Sequence, residues 1–500
     1  MGKSKHCTSE TNKTKTQANA NIYPSYSNYE GASHADTRTR NWKAPILGPN
    51  IEFNEWEQYS LIARSRDLYR NFPLIHACID RMIDYIIGTG IKFQPRLRNE
   101  DFPDYSPEEL LKISRDIKEK FYVWGESCGV DSRFSFFELQ RQIAFSMLVS
   151  GECFWNSTFI NDKLRIQLFE PERVSLPDNQ IETKFLRRGL KFDEYGENIG
   201  FYVEKQNSYD GILDNISWEY VPRFGSSTGF CRAGQIAKIS RPEQIRGIPL
   251  LASVIIPSKE LAEYLGSEQA AAKISSFFTV FIKKTTPTNG FGFTSEVHNE
   301  NKSIQKADIP PLAPAAIIEL LENEDISLAN PTRPSSQFSK FIQTVSTYIC
   351  ASLGIPYELV VMLFQSSYSA SRASFCAFQN TVEVWQKILE NKFLWYVFEL
   401  WLRDYLVING YISNFQSPQA ERWLQGIWIP PAIHTIEPVA DIEAAEKRVE
   451  AGFSTVQRET EQLTGEDIND LLSQEQSQGL NQTQNQNESD NDEDNKKSHD

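Results

Sequence analysis

The sequence lacks the signals of several common protein classes. Its seven cysteines are an odd number without a Cys-x-x-Cys pair, so a disulfide framework and a zinc site are not expected, and a reducing cytoplasm fits. Its six histidines show no metal-ligand spacing. The polar N-terminus has no apolar segment typical of a signal peptide. The best membrane-span candidate, residues 391–409, carries four charged side chains.

Positive charge is also scarce. The chain has 51 lysines and arginines against 66 aspartates and glutamates, a formal net charge of −15. Tight, sequence-independent binding of nucleic acid needs an excess of cations to neutralise phosphates. The balance therefore argues against such a binder, but it is compatible with a surface past which DNA slides without sticking.

Catalytic motifs are few and poorly supported. Residues 225–229 match the Gly-x-Ser-x-Gly pattern around Ser227, but their flanks predict a loop rather than a strand-turn-helix elbow. Asp80 and Asp84 share one helix face beside Arg81, which favours a solvated or salt-bridged face over a catalytic carboxylate pair. The sequence thus predicts no enzyme, no metal and no other cofactor. A serine hydrolase using Ser227 is the alternative from a different class.

What is present predicts an α+β fold. Apolar periodicity and helix-start signals predict helices, and short β-prone segments dominate from residue 151 to about 240. Pro257 is expected to break a helical stretch that Pro249 opens, with Ser258 capping a fresh helix to Lys283. The predicted helices before residue 151 are 55–70, 73–87, 107–125 and 135–150.

The most informative stretch is a helix break and restart between residues 341 and 373. The predicted helix 335–353 stops at Leu-Gly-Ile-Pro-Tyr, an irregular loop follows, and a long aromatic helix runs from Ser369 to about Gly410. Such a helix would span about 60 Å. Because it is apolar on more than one face, it must be covered by something large.

Several motifs occur in an order that resembles the portal (head–tail connector) proteins of lambda-type tailed bacteriophages. Two departures are Glu437, where aspartate is usual, and Asp441, in a segment without the customary lysine. The matching motif residues are Arg64, Asp80, Arg81, Asp84, Gly88, Gly90, Gly151, Arg241, Pro242, Gln244, Arg246, Gly247, Gly354, Pro356, Ser371, Arg372 and Pro438.

The resemblance implies a portal-type fold with a wing of helices and strands, a helical stem, a clip and a helical crown region. Both ends of the chain are predicted to be disordered from their polar composition. The implied division is arm 1–40, wing 41–248, stem 249–283, clip 284–332, second stem helix 333–353, tunnel loop 354–368, long wing helix 369–410, wing/crown 411–473 and acidic tail 474–500.

The resemblance also implies a function. Portal subunits form a ring, normally of twelve copies, at one capsid vertex; double-stranded DNA enters and leaves through the ring. Implied partners are the terminase large subunit, head-completion and connector proteins, scaffold and major capsid protein, with assembly in the host cytoplasm and no membrane. Another ring-forming phage head or neck protein, or a prophage relic of one, is the alternative.

The uncharged part of the tunnel loop is the predicted contact with DNA. We expect it to project into the channel, although a loop packed within the subunit is the alternative. Its residues are Met362, Leu363, Phe364, Gln365, Ser366, Ser367 and Tyr368.

Overall fold

A computed structural model describes most of the chain. The described residues are 30–33, 37–205, 217–276, 280–283, 317–320, 337–364, 367–432, 438–468 and 471–472. The predicted tail and most of the predicted arm and clip lie outside them. The chain divides into two compact units, residues 1–52 and 53–500. In the first, a 3₁₀ turn spans Glu30–Ala32 and a one-turn helix, α1, spans Pro49–Glu52.

Helices supply most of the second unit. Their starts carry local signals: Asn54, Ser106 and Ser135 each form a capping box with a glutamate three residues later. The helices are α2 Glu55–Asn71, α3 Pro73–Ile86, α4 Pro107–Gly125, α5 Phe136–Phe145, α6 Ile255–Ser276, α7 Phe338–Leu353, α8 Tyr357–Val361, α9 Tyr368–Leu389, α10 Trp395–Ile408, α11 Pro438–Glu450 and α12 Val456–Thr464.

The strands form small sheets. Their bounds are β1 Lys92–Pro95, β2 Glu152–Ile160, β3 Lys163–Phe169, β4 Leu186–Arg187, β5 Leu190–Phe192, β6 Asn198–Glu204, β7 Trp218–Pro222, β8 Ala233–Ala237, β9 Val280–Lys283, β10 Ile317–Leu320 and β11 Gly426–Ile429. β2 is the centre of a three-stranded antiparallel sheet with order β3-β2-β8, and β4 to β7 form a four-stranded antiparallel meander. β1 pairs with β11, and β9 pairs in parallel with β10.

Aromatic packing joins distant parts of the chain in the main core. The ring centroids of Phe93 on β1 and Phe398 on α10 lie 3.8 Å apart, and Phe121 on α4 packs edge-on against Trp401 at 5.0 Å. Trp428 on β11 completes the cluster beside Phe93 at 5.1 Å. One face of α3 belongs to this core, since Ile75, Cys78, Ile79, Met82, Ile83 and Ile86 are all buried. Burial of large aromatic side chains here anchors the long helix against the N-terminal half of the second unit.

The helix near residue 255 differs from the prediction. Pro257 neither breaks nor kinks α6, because it is the third residue of the helix, where its missing N–H leaves no hydrogen bond unmade. Ser258 is not a cap; it is fully buried inside the helix, and its N–H donates to the Val254 carbonyl oxygen at 2.9 Å. The helix ends at Ser276 rather than Lys283, since Val280–Lys283 pairs with Ile317–Leu320 as strands.

The long helix is present, with one irregularity. α9 and α10 are joined by a π-helical turn at Glu390–Leu394, which sequence periodicity did not indicate. On a second apolar side of the long helix, Val384 is 48% exposed, whereas the first side is buried: its residues are Phe378, Val382, Trp385, Leu389, Phe393 and Leu400. The second apolar side is therefore covered only in part by this subunit.

Candidate functional site

The predicted channel loop follows a short helix. Gly354 ends α7 with a φ of +78°, and Pro356 leads into α8. Residues 357–361 are therefore helical, whereas the sequence predicted an irregular loop there. Met362 ends α8 in the left-handed region, with a φ of +54°. Non-glycine residues rarely adopt this conformation. The chain then returns into α9 at Tyr368.

The described part of the loop exposes apolar side chains. Met362, Leu363 and Phe364 are 59%, 53% and 56% exposed. The Leu363 N–H donates to the Glu358 carbonyl oxygen at 3.3 Å, and Arg81 Nη2 lies 3.7 Å from the Met362 sulfur. Ser367 is also exposed, while Gln365, Ser366 and the side chain of Tyr368 lie outside the described residues. Three consecutive exposed apolar side chains are the kind of grouping found at interaction surfaces.

The base of the loop is held by polar contacts. Ser371 Oγ donates to Glu358 Oε2 at 3.0 Å, which links the start of α9 to α8. Arg372 Nη2 donates to Asp441 Oδ1 at 2.6 Å and ties the same helix end to α11, which begins at Pro438. Asp441, one of the two departures from the family pattern, thus pairs with a family-motif arginine. Glu437, the other departure, lies outside the described residues.

The second constellation is a buried ion pair between two predicted motifs. Glu152 opens β2 and is fully buried, and Arg246 Nε donates to its Oε1 at 2.5 Å. The N–H of Gly247 donates to Oε2 of Glu152 at 2.9 Å. Arg246 also donates to the carbonyl oxygens of Pro171, Val174 and Arg188 at 2.8–3.0 Å. Because every charged group here has a partner, the desolvation cost of burial is offset.

Two glycines allow the motifs to approach each other this closely. A Cβ on Gly151, whose φ is +91°, would lie 2.6 Å from the Ile248 carbonyl carbon. A Cβ on Gly247 would lie 2.2 Å from the Gly151 carbonyl oxygen. No side chain can be accommodated at either contact. The motif glycines are therefore required by backbone packing.

Sequence reasoning missed several members of this network. Gln58 Nε2 on α2 donates to Glu152 Oε1 at 2.8 Å, and Gln235 Nε2 on β8 donates to Oε2 at 2.5 Å. Arg188 donates to Gln58 and to the Phe53 carbonyl oxygen. Burial, with the nearby charge of Arg246, lowers the pKa of Arg188 to about 10. The only signal of these residues in the sequence was a polar residue at a position where the local pattern favours an apolar one.

An arginine near the motif residue Arg64 makes a related contact. Arg64 itself is exposed, whereas Arg66 donates to Ser150 Oγ and forms ion pairs with Glu170 and Glu172, the latter at 2.7 Å. Burial, together with the charge of Glu172, raises the pKa of Glu170 to about 7. Hydrogen bonds from Arg66 lower the pKa of Glu172 despite its burial.

The predicted carboxylates on α3 are salt-bridged, as one reading of the sequence had it. Asp80 accepts a hydrogen bond from the Tyr69 hydroxyl at 2.9 Å and lies 3.2 Å from His76 Nε2. Asp84 accepts from Arg141 Nη2 at 3.0 Å. These carboxylates are held by neighbouring side chains.

The glycines after α3 and the proline turn of the second motif have structural roles. Gly88, with a φ of +49°, packs so closely on Pro431 that a Cβ would lie 2.6 Å from it; Gly90 has a φ of +105°. In the turn opened by Arg241 and Pro242, Gln244 Nε2 donates to the Arg246 carbonyl oxygen at 2.8 Å. The turn thereby positions the arginine of the buried pair.

The geometry offers little for catalysis. Ser227 lies in a tight turn closed by a 2.8 Å hydrogen bond from Gly229 N–H to the Gly225 carbonyl oxygen, and no helix follows it. Within the described ranges, no three His, Cys, Asp or Glu side chains are grouped to hold a metal ion. No helix of those ranges is long and apolar enough to cross a membrane.

Comparisons with known proteins identify the class. Residues 35–386 match the model of the phage portal protein family, lambda type. The portal protein of Escherichia phage N15 is 23% identical over 83% of this chain and 82% of its own length. Portal protein B of Escherichia phage lambda is 22% identical over 90% of this chain and 89% of its own length.

Solved structures with some similarity to this chain include necks of gene transfer agent particles. The neck of an empty particle, computed with C6 symmetry, has a TM-score of 0.43 at 11% identity and covers 83% of this chain and 94% of its own. The neck of the native particle, computed with C12 symmetry, has a TM-score of 0.40 at 10% identity; the match covers 83% of this chain and 94% of the neck chain.

The family match covers well over half of the chain, so this protein belongs to the lambda family of phage portal proteins. It is a structural protein of the virion, located at the capsid vertex. Membership of the family gives it the ring, the channel for DNA packaging and ejection, and the docking role of portal proteins. The mixed helix and sheet fold agrees with the α+β prediction.

Proposed function

We propose that residues 362–368 project into the channel and meet DNA during packaging and ejection. The observation that carries the proposal is the exposure of Met362, Leu363 and Phe364 on a loop whose base is fixed by Ser371 and Glu358. An apolar surface that this subunit leaves in water gains stability only when another molecule covers it.

The chemistry of the loop suits a moving polyanion. A lysine or arginine in the channel would bind phosphates and add a salt-dependent barrier to each step of sliding. Apolar and hydroxyl side chains contact a duplex without directional charge pairing. Arg81 contacts Met362 from α3 and also lies 3.8 Å from Asp84, which partly neutralises its charge.

The portal division of the chain completes the proposal. Residues 41–248 act as wing, 249–283 and 333–353 as stem, 284–332 as clip, 369–410 as the long wing helix, and 411–473 as wing and crown. Twelve subunits assemble in the host cytoplasm. The clip takes the terminase large subunit and later the head-completion and connector proteins, and the ring also contacts scaffold and major capsid protein.

Deletion of residues 362–367 tests the loop assignment. Rings should still form, seen as annuli by negative-stain microscopy, while packaging or retention of full-length DNA should be lost. Tyr122→Ser with Val123→Ser is the control, because both are exposed apolar residues of α4 that lie away from the loop. Normal packaging by the deletion variant would contradict the proposal; a chain that forms no rings under any assembly condition would instead contradict the portal role.

The prediction of a non-enzymatic protein has its own test. A serine-reactive probe should leave Ser227 unlabelled, and Ser227→Ala should assemble as the original chain does. Stoichiometric labelling at Ser227 would favour the hydrolase alternative.

A further inference from the structure

A polar cleft lies beside the start of α4, away from the loop. Its volume is about 810 Å³, and its walls come from the segment after β1, from α4, from the segment leading into β11 and from the C-terminal region. Gln94 lines it while being more than nine-tenths buried, and its Oε1 makes no hydrogen bond. The cleft also contains a concentration of positive charge that is unusual for this chain.

The ionisable side chains of the cleft are mostly basic. Arg96, Arg98, Arg115 and Lys118 line it, against one carboxylate, Asp467. Arg96 also pairs with Glu461, and Asp467 accepts a hydrogen bond from Gln457 Nε2 at 3.2 Å. Arg98 and Arg115 are exposed. In a chain with a net charge of −15, such a grouping attracts anions.

The C-terminal tail begins next to this cleft. Asp467 lines the cleft and the described chain ends at Leu472, five residues later. Residues 488–494, Glu-Ser-Asp-Asn-Asp-Glu-Asp, contain five carboxylates and no cation. The 15 residues between 472 and 488 can span up to about 50 Å when extended. The acidic segment therefore reaches the cleft without strain.

We propose that the acidic segment 488–494 of the same subunit occupies the basic cleft. Tethering by a short polar linker gives an effective concentration on the order of millimolar, so weak exposed ion pairs suffice. The tail then keeps these arginines from holding phosphates, which matters in a protein that handles DNA. The attraction is electrostatic and is weakened by salt.

Zero-length carbodiimide cross-linking of full-length rings tests the proposal. The reagent joins a carboxylate to a lysine amine, and mass spectrometry identifies the joined peptides. We expect tail carboxylates to couple to Lys118 in preference to Lys163 or Lys259, which are exposed elsewhere. Arg98→Glu with Arg115→Glu should reduce the Lys118 product by about tenfold, whereas the control Arg64→Glu should leave it unchanged.

Two further experiments distinguish this tail from two other possible ligands of the cleft, the tail of a neighbouring subunit and a DNA duplex. Rings mixed from ¹⁴N and ¹⁵N subunits should give Lys118 products within one isotope; mixed-isotope products would show a neighbour's tail and overturn the same-subunit proposal. A variant with Glu488→Gln, Asp490→Asn, Asp492→Asn, Glu493→Gln and Asp494→Asn should bind a 12-base-pair duplex about tenfold more tightly than the original chain. Equal duplex binding by both, or cross-links spread evenly over exposed lysines, would also overturn the proposal.

Discussion

The buried ion-pair network and the channel loop reverse the usual distribution of polarity. Glu152 and Arg246 are charged and almost completely buried, whereas Leu363 and Phe364 are apolar and more than half exposed. Both carboxylate oxygens of Glu152 and all three guanidinium nitrogens of Arg246 find partners within the subunit, so the pair serves to fix the subunit's structure. The described apolar side chains of the loop stay more than half exposed, so we infer that the energetic reason for its composition lies outside the subunit.

The largest expected effect comes from breaking the ion pair. Arg246→Ala leaves the Glu152 carboxylate buried without its cation and removes the donor to three carbonyl oxygens. The free energy of unfolding should fall by about 3–5 kcal/mol, measured by urea denaturation. Arg64→Ala, at an exposed arginine, should change it by less than about 0.5 kcal/mol. A small effect of Arg246→Ala would mean that the pair does not organise the fold.

The second-largest loss of stability is expected at Gly151, which packs against backbone next to the ion pair. Gly151→Ala places a Cβ 2.6 Å from backbone and forces an unfavourable φ, so we expect a loss of about 2–4 kcal/mol by the same measurement. Gly196→Ala separates the two causes, because its φ is +89° but nothing lies within 4 Å. It should cost only about 1 kcal/mol. Equal losses at both positions would show that backbone strain alone, without the close approach, explains Gly151.

The sequence predicted local features of this fold better than distant ones. The starts of α2, α3, α4 and α5 were predicted because proline and capping signals are local. The partners of Glu152 were not predicted, since Gln58 and Arg246 each lie 94 residues from it. The identity of one polar residue does not indicate which distant residue it contacts. The same limit explains why Arg64 was singled out while its neighbour Arg66 makes the ion pairs.

At the site, the loop's position was predicted, but the form of its first half was not. The Gly354–Pro356 break signals the end of α7 from two residues with restricted backbones. The helical turn of α8 and the left-handed Met362 depend on contacts such as Ser371 to Glu358, which span the loop. The β1–β11 pairing likewise joins segments more than 300 residues apart and leaves no local signature.

The carboxylate of Glu170, which pairs with Arg66, should make the free energy of unfolding depend on pH. The pKa of Glu170 is raised from 4.5 to about 7, so the folded state binds more protons than the unfolded state between these values. Stability should therefore fall as pH rises from 4.5 to 7. Because half of this side chain is exposed, we expect a loss of only about 1 kcal/mol. Glu170→Gln should flatten the dependence in urea titrations at pH 5 and pH 7, and an unchanged slope would exclude Glu170 as its source.

The smallest effect on stability is expected at the loop, and this is the sharpest test of the comparison. Phe364→Ser removes a side chain that is 56% exposed, so the free energy of unfolding should change by less than about 0.5 kcal/mol. Phe378→Ser on α9, where the side chain is 2% exposed, should cost about 3–5 kcal/mol. Urea unfolding of both variants measures the difference. A loss above about 1 kcal/mol at Phe364 would mean that the loop packs within its own subunit. Its apolar side chains would then belong to the core and would not be available to DNA.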